Sequence, residues 1–446
     1  MPFDERTDWV DTPSSPPPPG STPVYAADIL RWERGLAEAH EQLSGKLSKA
    51  DADATYAPVS RALPTGGTAG QIPVKTASGV EWQAAPSSGG GSALADPTVM
   101  QTWFAALGAR DYAQARIMYI GDSTGEGAGV DALEKRTINR LQNILRRRFP
   151  TAGIDAGGGI GYLPVFYASP TLPDPATTGS PAQLMSFGMG GRAYSLNTSK
   201  SVTFNVTGTH ARIFYVGGTS SGDLQYTLDG GTPASFPTVV TGATTDGRWY
   251  DLPLGTSGPH TLTITRTATP ASNAYLAGVW VFDNDVDKGI HVVDASHYGW
   301  KASDFTTTQF QTYLQQQVAA VQPDAVLVSF GLNEQGGGID PAVMKTNLQT
   351  IISRVKAGAT VAPSIILLGK WDRSGTYTYP WADYLTAMRE VDAADAAVTF
   401  VDMSTRIPRA GSTLANSLSL FADATHASER GQAMEADLLA AVFSPA

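Results

Sequence analysis

The feature that most constrains the fold is an alternation of short apolar runs and amphipathic segments, which starts near Ala115 and resumes near Gly289. Continuously apolar strands separated by helices are typical of a parallel sheet covered on both faces. The sequence therefore predicts a three-layer α/β domain. The predicted strands are Ile117–Ile120, "IHVVDAS", "AVLVSF", "SIILLG" and "VTFVDM", and the predicted helices are Leu133–Arg148, Phe305–Val321, Ala342–Lys356, Trp381–Ala394 and Ser428–Val442.

A different pattern occupies the stretch between Phe187 and Asp283. Apolar and polar residues alternate there in "SVTFNV", "ARIFYVGG", "LQYTLDGG", "RWYDLPL", "HTLTITRT" and "LAGVWVFDN", and turns such as Asp229-Gly230 join these segments. This pattern predicts an antiparallel β-sandwich. We expect it at residues 156–287, inserted into an α/β domain made of residues 99–155 and 288–446, which requires only that its two ends lie close together.

The first hundred residues differ in composition from the rest. Residues 1–22 are Pro-rich and polar, which predicts an extended arm. Residues 23–50 predict a helix with heptad spacing, which fits a single amphipathic helix or a short coiled coil that makes a homotrimer. Residues 51–98 include "GTAGQIPVKTASGVEWQAAP", which resembles the connectors of bacteriophage tail fibres and minor tail proteins, although a plain tether has the same composition.

Composition excludes several classes of function. The formal charge of -10 argues against a nucleic-acid binder, which needs a basic face. The chain has 0 cysteines, which excludes disulfides, thiolate metal sites and a cysteine nucleophile. Its acidic, Pro-rich start predicts no secretory signal, and no apolar run is long enough to span a bilayer. A protein of this kind that acts outside a cell is expected to arrive by assembly into a particle or by lysis.

Gly121-Asp122-Ser123 lies directly after the first predicted strand of the α/β domain. Open α/β sheets hold their sites at the carboxyl ends of strands, and glycines allow a sharp turn there. Ser123 fits a nucleophile, but it also fits the N-cap of the following helix. The nucleophile hypothesis requires a base, because a serine hydroxyl is weak until its proton is removed.

Of the six histidines, His426 is the best candidate for that base. Asp423 precedes it by three residues, so both side chains fit one loop before the last predicted helix, with the carboxylate orienting the imidazole. Taken alone, the pair also suits a capping carboxylate and a surface histidine. His291 is expected inside a buried strand, and His297 just after that strand is expected to be able to line the site.

Together these segments resemble the SGNH hydrolases, also called the GDSL esterase and lipase family. Gly121-Asp122-Ser123 resembles the family's first block, Gly299 the glycine of the second, Asn333 the asparagine of the third, and Asp423 and His426 the Asp-x-x-His of the last. The resemblance implies a flavodoxin-like α/β/α fold and a catalytic triad of Ser123, Asp423 and His426. It also implies an oxyanion hole of Ser123, Gly299 and Asn333, with no metal or cofactor.

The sequence departs from the family pattern in two places. The third block usually reads Gly-x-Asn-Asp, but Glu334 stands here in place of the Asp, which leaves that residue's hydrogen bonds in question. The large insertion is the other departure, and its opening "AGGGIGYLP" lacks the Lys-Ser/Thr of a phosphate loop.

The stretch Gly121–Gly125 also fits the G-x-S-x-G elbow of α/β-hydrolases. In that fold the elbow follows several strands and the acid and histidine lie on separate loops, so the chain order favours the SGNH pattern.

We therefore expect a serine esterase that cleaves O-acyl groups, acetyl above all, from bacterial cell-surface glycans or lipids. It is expected to act from a phage tail outside the host, held by other tail proteins at its N-terminal arm, with neither nucleic acid nor membrane embedding. The alternative is a catalytically silent tail protein that recognises surface carbohydrate through the sandwich. Trp249 and Tyr250 would then stack on sugars, or else lie in the sandwich core.

Overall fold

The computed structural model describes residues 71–76, 79–84, 95–154, 158–269 and 271–445. The chain divides into two units, residues 1–90 and 91–446. In the first unit, β1 (Gln71–Thr76) and β2 (Gly79–Ala84) form an antiparallel hairpin within the predicted connector. The Pro-rich arm and the heptad-spaced helix predicted for residues 1–50 lie outside the described residues.

The second unit holds the remaining described elements, none of whose helices is long and apolar enough to cross a membrane. The first are α1 (Gln101–Gly108), β3 (Gln114–Gly121), α2 (Ser123–Glu126), α3 (Thr137–Arg148) and β4 (Gly161–Pro164). Next come β5 (Ala176–Thr178), β6 (Ala182–Leu184), β7 (Ala193–Leu196), β8 (Ser201–Thr207), β9 (His210–Gly217), β10 (Leu224–Leu228), β11 (Ala234–Phe236), β12 (Thr245–Pro253), β13 (Pro259–Arg266) and β14 (Ala274–Phe282). The last are β15 (Gly289–Asp294), α4 (Thr308–Val321), β16 (Ala325–Ser329), α5 (Leu332–Gly336), α6 (Pro341–Gly358), β17 (Ser364–Gly369), α7 (Trp381–Ala394), β18 (Val398–Asp402), α8 (Thr413–Ser417) and α9 (Glu429–Val442).

Five strands form a parallel sheet in the order β15-β3-β16-β17-β18. Numbered along the chain this order is 2-1-3-4-5, which is the flavodoxin-like order. Strands β15 to β18 are buried throughout, as their continuous apolar runs predict. The chain reverses direction across the sheet between β3 and β16. Open α/β sheets bind ligands beyond the carboxyl ends of the strands at such a point.

Helices cover both faces of this sheet. The chain moves from β3 to β15 in one direction and from β15 through β18 in the other, and right-handed crossovers then place α3 on one face and α4, α6 and α7 on the other. Helix α9 packs against α3, and α6 packs between α4 and α7. The predicted α/β architecture is confirmed.

Residues 161–282, called here the antiparallel region, form two sheets. One has the order β11-β10-β13-β8-β5, and the other has the order β12-β9-β14-β7-β6, with β4 also paired to β14. A buried apolar cluster is shared between them, and it includes Phe204 and Leu262 of the first sheet and Ile213 and Val279 of the second. The two sheets therefore face each other across a common core.

The second of these sheets also packs on the α/β core. Along β14, Val279 and Val281 join the cluster between the two antiparallel sheets, whereas Trp280 and Phe282 join the core around the parallel sheet. Successive side chains of a strand point to opposite faces, so this strand is buried on both sides. The antiparallel region is thus packed against the α/β layers through a continuous apolar interior.

The prediction of a single helix over Leu133–Arg148 is wrong. A 3-10 turn ends at Lys135, Arg136 has an extended backbone with φ -67° and ψ 145°, and α3 begins at Thr137. Arg136 is 1% exposed, and its guanidinium bonds to the carboxylate of Asp294. This contact joins residues 158 positions apart, so no local helix propensity could predict it.

Candidate active site

Asp122 caps the short helix that follows β3. One of its carboxylate oxygens accepts the Thr124 N–H at 2.8 Å and the Thr124 hydroxyl at 2.7 Å. Helix α2 begins at the next residue, Ser123, so Asp122 is the N-cap. The capping role that the sequence also allowed for Ser123 is therefore taken by its neighbour, and the Ser123 hydroxyl contacts a histidine instead.

Ser123, His426 and Asp423 form a continuous chain of hydrogen bonds. Ser123 Oγ lies 2.9 Å from His426 Nε2, and His426 Nδ1 lies 2.7 Å from Asp423 Oδ2. An ionised carboxylate only accepts hydrogen bonds, so Nδ1 carries the imidazole proton and Nε2 is left to accept from the serine. The sheet edge beyond β3 and the loop before α9 thus bring together residues that lie 303 positions apart.

Asp423 is also held by its own loop. Its Oδ1 accepts the backbone N–H groups of Thr425 and His426, both at 2.7 Å. Burial raises the pKa of Asp423, but the bonds from the His426 ring and from these two N–H groups outweigh burial and hold that pKa below its usual value. The loop is fixed in turn by Trp371, whose Nε1 donates to Thr425 O at 2.8 Å. The carboxylate therefore stays ionised and fixes the imidazole orientation.

Gly299 and Asn333 lie on the segments that follow β15 and β16. Gly299 has φ +79°, a conformation that favours glycine, although a Cβ there would meet no other atom. Within the described part of the chain, the backbone N–H groups of Ser123 and Gly299 have no acceptor. Asn333 Nδ2 donates to Trp300 O at 2.8 Å, which leaves its second amide hydrogen available. These three groups are thus available to donate to a bound molecule.

Glu334 stands where the resemblance leads one to expect an Asp, and it ties two loops together. Its Oε1 accepts the Ala302 N–H at 2.7 Å, and its Oε2 accepts the Gly331 N–H at 2.8 Å. The side chain is buried, and burial raises the pKa of Glu334 to about 7. The glutamate therefore bonds the segment that carries Gly299 to the helix that carries Asn333.

Sequence reasoning missed Glu126, which lies three residues after Ser123 in α2. Glu126 is 0% exposed. Its Oε2 accepts the Tyr298 N–H at 2.5 Å, and its Oε1 accepts the Ala168 N–H at 2.6 Å. It therefore bonds the residue next to Gly299 and a loop of the antiparallel region at once. A glutamate in a glycine-rich turn is usually solvated, and no local pattern marks this one as buried.

A groove of about 500 Å³ opens beside His426. The Tyr298 ring lies nearly parallel to the His426 ring, with 5.7 Å between the ring centroids. Residues 169–171 of the antiparallel region form part of its wall, and Asp131 and Lys135 are among its charged lining groups. The groove thus lies between the loop that carries Asp423 and His426 and residues 169–171 of the antiparallel region.

Two other histidines considered from the sequence lie in the interior. His291 is 0% exposed within β15, as expected. His297 does not line the groove as expected, because it is buried with its ring stacked on Trp300 at 4.1 Å and its Nδ1 2.5 Å from Gly190 O. Burial lowers the pKa of His291 to about 3 and that of His297 to about 4, so both are neutral at pH 7.

Residues 244–434 match the GDSL-like Lipase/Acylhydrolase family. The matched stretch contains Gly299, Asn333, Asp423 and His426. It begins at residue 244, within the antiparallel region, and does not contain Ser123. No curated protein sequence matches the chain.

Solved structures resemble the chain at low sequence identity. "Peptidoglycan O-acetylesterase in action, 5 min" is 18% identical with a TM-score of 0.55, and the match covers 78% of this chain and 95% of that chain. A carbohydrate esterase family 2 enzyme with a carbohydrate binding domain from Corynascus thermopiles (Myceliophthora fergusii) is 16% identical, with a TM-score of 0.28 and coverages of 59% and 98%. An active site mutant of a family two carbohydrate esterase from Clostridium thermocellum is 13% identical, with a TM-score of 0.29 and coverages of 60% and 97%. Of these three, the first shares the fold. The GDSL/SGNH lipase-acylhydrolase domain of this chain is supported by the family match over residues 244–434.

Proposed function

We propose that this protein is a serine esterase that hydrolyses carboxylic esters through an acyl-serine intermediate. The observation that carries the proposal is the hydrogen-bonded chain of Ser123, His426 and Asp423, with distances of 2.9 and 2.7 Å. A serine hydroxyl becomes a nucleophile when a neutral imidazole accepts its proton. Here the carboxylate on the far side of the ring keeps the accepting nitrogen free.

In the proposed reaction, Ser123 Oγ attacks the ester carbonyl carbon while its proton passes to His426 Nε2. The carbonyl oxygen becomes an oxyanion, which the N–H groups of Ser123 and Gly299 and the Asn333 amide stabilise. The tetrahedral intermediate collapses, the bond to the alcohol oxygen breaks, and His426 gives its proton to that oxygen. Water then attacks the acyl carbon while His426 Nε2 takes its proton. The bond between that carbon and Ser123 Oγ breaks, His426 returns the proton to Ser123 Oγ, and the carboxylic acid leaves.

The groove beside His426 is the proposed place for the alcohol part of the substrate. The leaving oxygen takes its proton from His426 Nε2, so the alcohol lies on the imidazole side of Ser123. The groove offers the ring of Tyr298 and the hydroxyl of Thr171, which is hydrogen-bonded to the buried Ser169 hydroxyl at 3.1 Å. Hydroxyl groups and an aromatic ring suit a polyhydroxylated sugar better than a lipid chain.

We propose O-acetyl groups on a bacterial cell-surface glycan as the substrate. Supporting this choice are the hydroxyl and aromatic groups of the groove and the fold shared with a structure named as a peptidoglycan O-acetylesterase. We propose further that residues 99–155 and 288–446 are the hydrolase domain and residues 156–287 an inserted β-sandwich.

Attachment to a phage tail through an N-terminal arm, as a homotrimer, is proposed from the resemblance of residues 51–98 to tail-fibre connectors.

One observation favours a second candidate, a silent receptor-binding protein that recognises carbohydrate through the antiparallel region. Trp249 is 38% exposed, and its ring centroid lies 5.7 Å from that of Phe214 and 5.6 Å from the Arg212 guanidinium. A fixed, exposed ring is suited to stacking on a sugar. Tyr250 is unsuited to this role, because its ring stacks face to face on Phe236 with centroids 4.2 Å apart.

Hydrolysis of p-nitrophenyl acetate by the wild-type protein and by Ser123→Ala tests the proposal. We expect steady release of p-nitrophenol by the wild type and none above background by the variant. Acetate release from isolated host envelope by the wild type alone would support the proposed substrate. If both proteins are equally inert, the esterase proposal fails. Envelope binding that is lost in Trp249→Ala would then support the second candidate.

A further inference from the structure

The loop that carries Gly299 is bonded to the antiparallel region at its centre. We call residues 295–299, which follow β15, the oxyanion loop. His297 N–H donates to Gly121 O at 3.0 Å, two residues before the proposed nucleophile. His297 Nδ1 donates to Gly190 O at 2.5 Å. Gly190 has φ +64°, and a Cβ there would lie 2.3 Å from Ser296 O, so the two backbones are in close contact.

A set of buried charges makes a second connection. The guanidinium of Arg192 is 0% exposed, and its Nη1 donates to Glu126 Oε1 at 3.2 Å. Its Nη2 donates to Asp294 O at 3.1 Å and lies 3.3 Å from Asp294 Oδ2. The other oxygen of that carboxylate accepts the Ser296 N–H at 2.9 Å, at the start of the oxyanion loop. Arg192 thus touches both carboxylates that bond this loop.

The oxyanion loop is held at three successive residues. Asp294 accepts from Ser296, Gly190 accepts from His297, and Glu126 accepts from Tyr298 at 2.5 Å. Arg136 supplies a second guanidinium to Asp294, so two cations and two anions are paired in the interior. An unpaired buried charge is strongly unfavourable. The network therefore favours one arrangement of the loop.

We infer that two residues of the antiparallel region, Gly190 and Arg192, position the oxyanion loop so that the Gly299 N–H meets the developing oxyanion. The inference rests on the proposed esterase function. Oxyanion donors stabilise the transition state only when they are already placed to meet it, and a misplacement of about 1 Å costs roughly 100-fold in rate. Gly190 and Arg192 are positioning residues, since they act through the loop and touch no reacting atom.

A matched pair of variants at His297 separates positioning from packing. His297→Phe keeps an aromatic ring for the stack on Trp300 but loses the donor to Gly190 O. His297→Asn loses the ring but places an amide N–H near the position of Nδ1. His260→Phe is the control, because His260 lies in the antiparallel region and bonds to Asp229 and Thr256, away from the oxyanion loop.

The measurements are kcat and KM for p-nitrophenyl acetate and the melting temperature of each variant. We expect His297→Phe to lower kcat about tenfold or more with KM within about twofold, because the donor acts in the transition state. His297→Asn should recover most of that loss despite its poorer packing, and His260→Phe should match the wild type. The two effects are separated if the melting temperature depends on the ring that stacks on Trp300 while kcat depends on the donor to Gly190 O.

The outcomes distinguish this inference from the proposed function. Wild-type turnover that is lost in Ser123→Ala establishes the esterase first. If His297→Phe then retains wild-type kcat, or if His297→Asn falls as far as His297→Phe, the positioning role is overturned while the esterase stands. If the wild type itself is inert, the proposed function fails and the inference fails with it.

Discussion

Glu334 accepts the backbone N–H of Ala302 at 2.7 Å with one carboxylate oxygen, while the other oxygen accepts the N–H of Gly331. The first bond reaches the segment that carries Gly299, and the second closes the turn before Asn333. The Gly299 N–H and the Asn333 amide, two of the three proposed donors to the oxyanion, therefore depend on one buried carboxylate. An Asp at this position has one methylene less with which to span the two N–H groups.

Replacing Glu334 with Gln should remove a pH-dependent part of the stability. Burial raises the pKa of Glu334 from 4.5 to about 7, so the folded protein holds this proton more tightly than the unfolded chain does. The associated stability is fully present below about pH 4.5 and is lost as the pH rises through about 7, a change of about 3 kcal/mol. Urea unfolding across this range, wild type minus Glu334→Gln, should show the decline. A difference that does not vary with pH would contradict it.

Asp423→Asn should lower kcat for p-nitrophenyl acetate about 10³-fold with little change in KM. An amide can donate to His426 Nδ1, which favours the tautomer with its proton on Nε2, and that nitrogen then cannot accept from Ser123. Asp437→Asn is the control, because Asp437 is exposed on α9. Steady-state kinetics would count against the triad if the two variants were equally active.

The sequence predicted the parts of this site that local patterns encode. Asp423 and His426 are three residues apart and lie in one loop, so their pairing needs no knowledge of the fold. The continuous apolar runs predicted the strands of the parallel sheet, and the bounds "SIILLG" and Trp381–Ala394 agree with β17 and α7. Whether Ser123 or Asp122 caps α2 was not predictable, because both residue types are good N-caps.

The sequence could not predict the contacts that connect distant segments. Glu126, Arg136 and Arg192 carry no local signal of burial, and isolated charged residues are rarely buried. Their burial becomes favourable only after the antiparallel region folds against the α/β layers and supplies partners such as Asp294. Short strands such as β5 (Ala176–Thr178) were also missed, because three residues are too few to show a period.

Gly299→Ala should reduce kcat with little loss of stability. Gly299 has φ +79° and open space around a Cβ, so an alanine costs about 1 kcal/mol in backbone strain and meets no clash. Relief of that strain turns the N–H away from the oxyanion, and kcat should fall about 100-fold. Gly230→Ala is the matched control, with φ +70° and equally open space in a hairpin turn. Equal kcat in the two variants would exclude Gly299 as a donor.

Thr171→Trp should block the groove to a glycan while leaving small esters unaffected. Thr171 lines the groove beside His426, and an indole there occupies space that we propose for the sugar. We expect KM for an O-acetylated oligosaccharide to rise about tenfold or more, with kcat/KM for p-nitrophenyl acetate within about twofold of wild type. Thr256→Trp, at an exposed position of the antiparallel region outside the groove, should change neither. Equal losses on both esters would contradict this placement of the alcohol. In the proposed arrangement p-nitrophenyl acetate is too small to reach the wall that Thr171 forms, so the indole should not affect its hydrolysis.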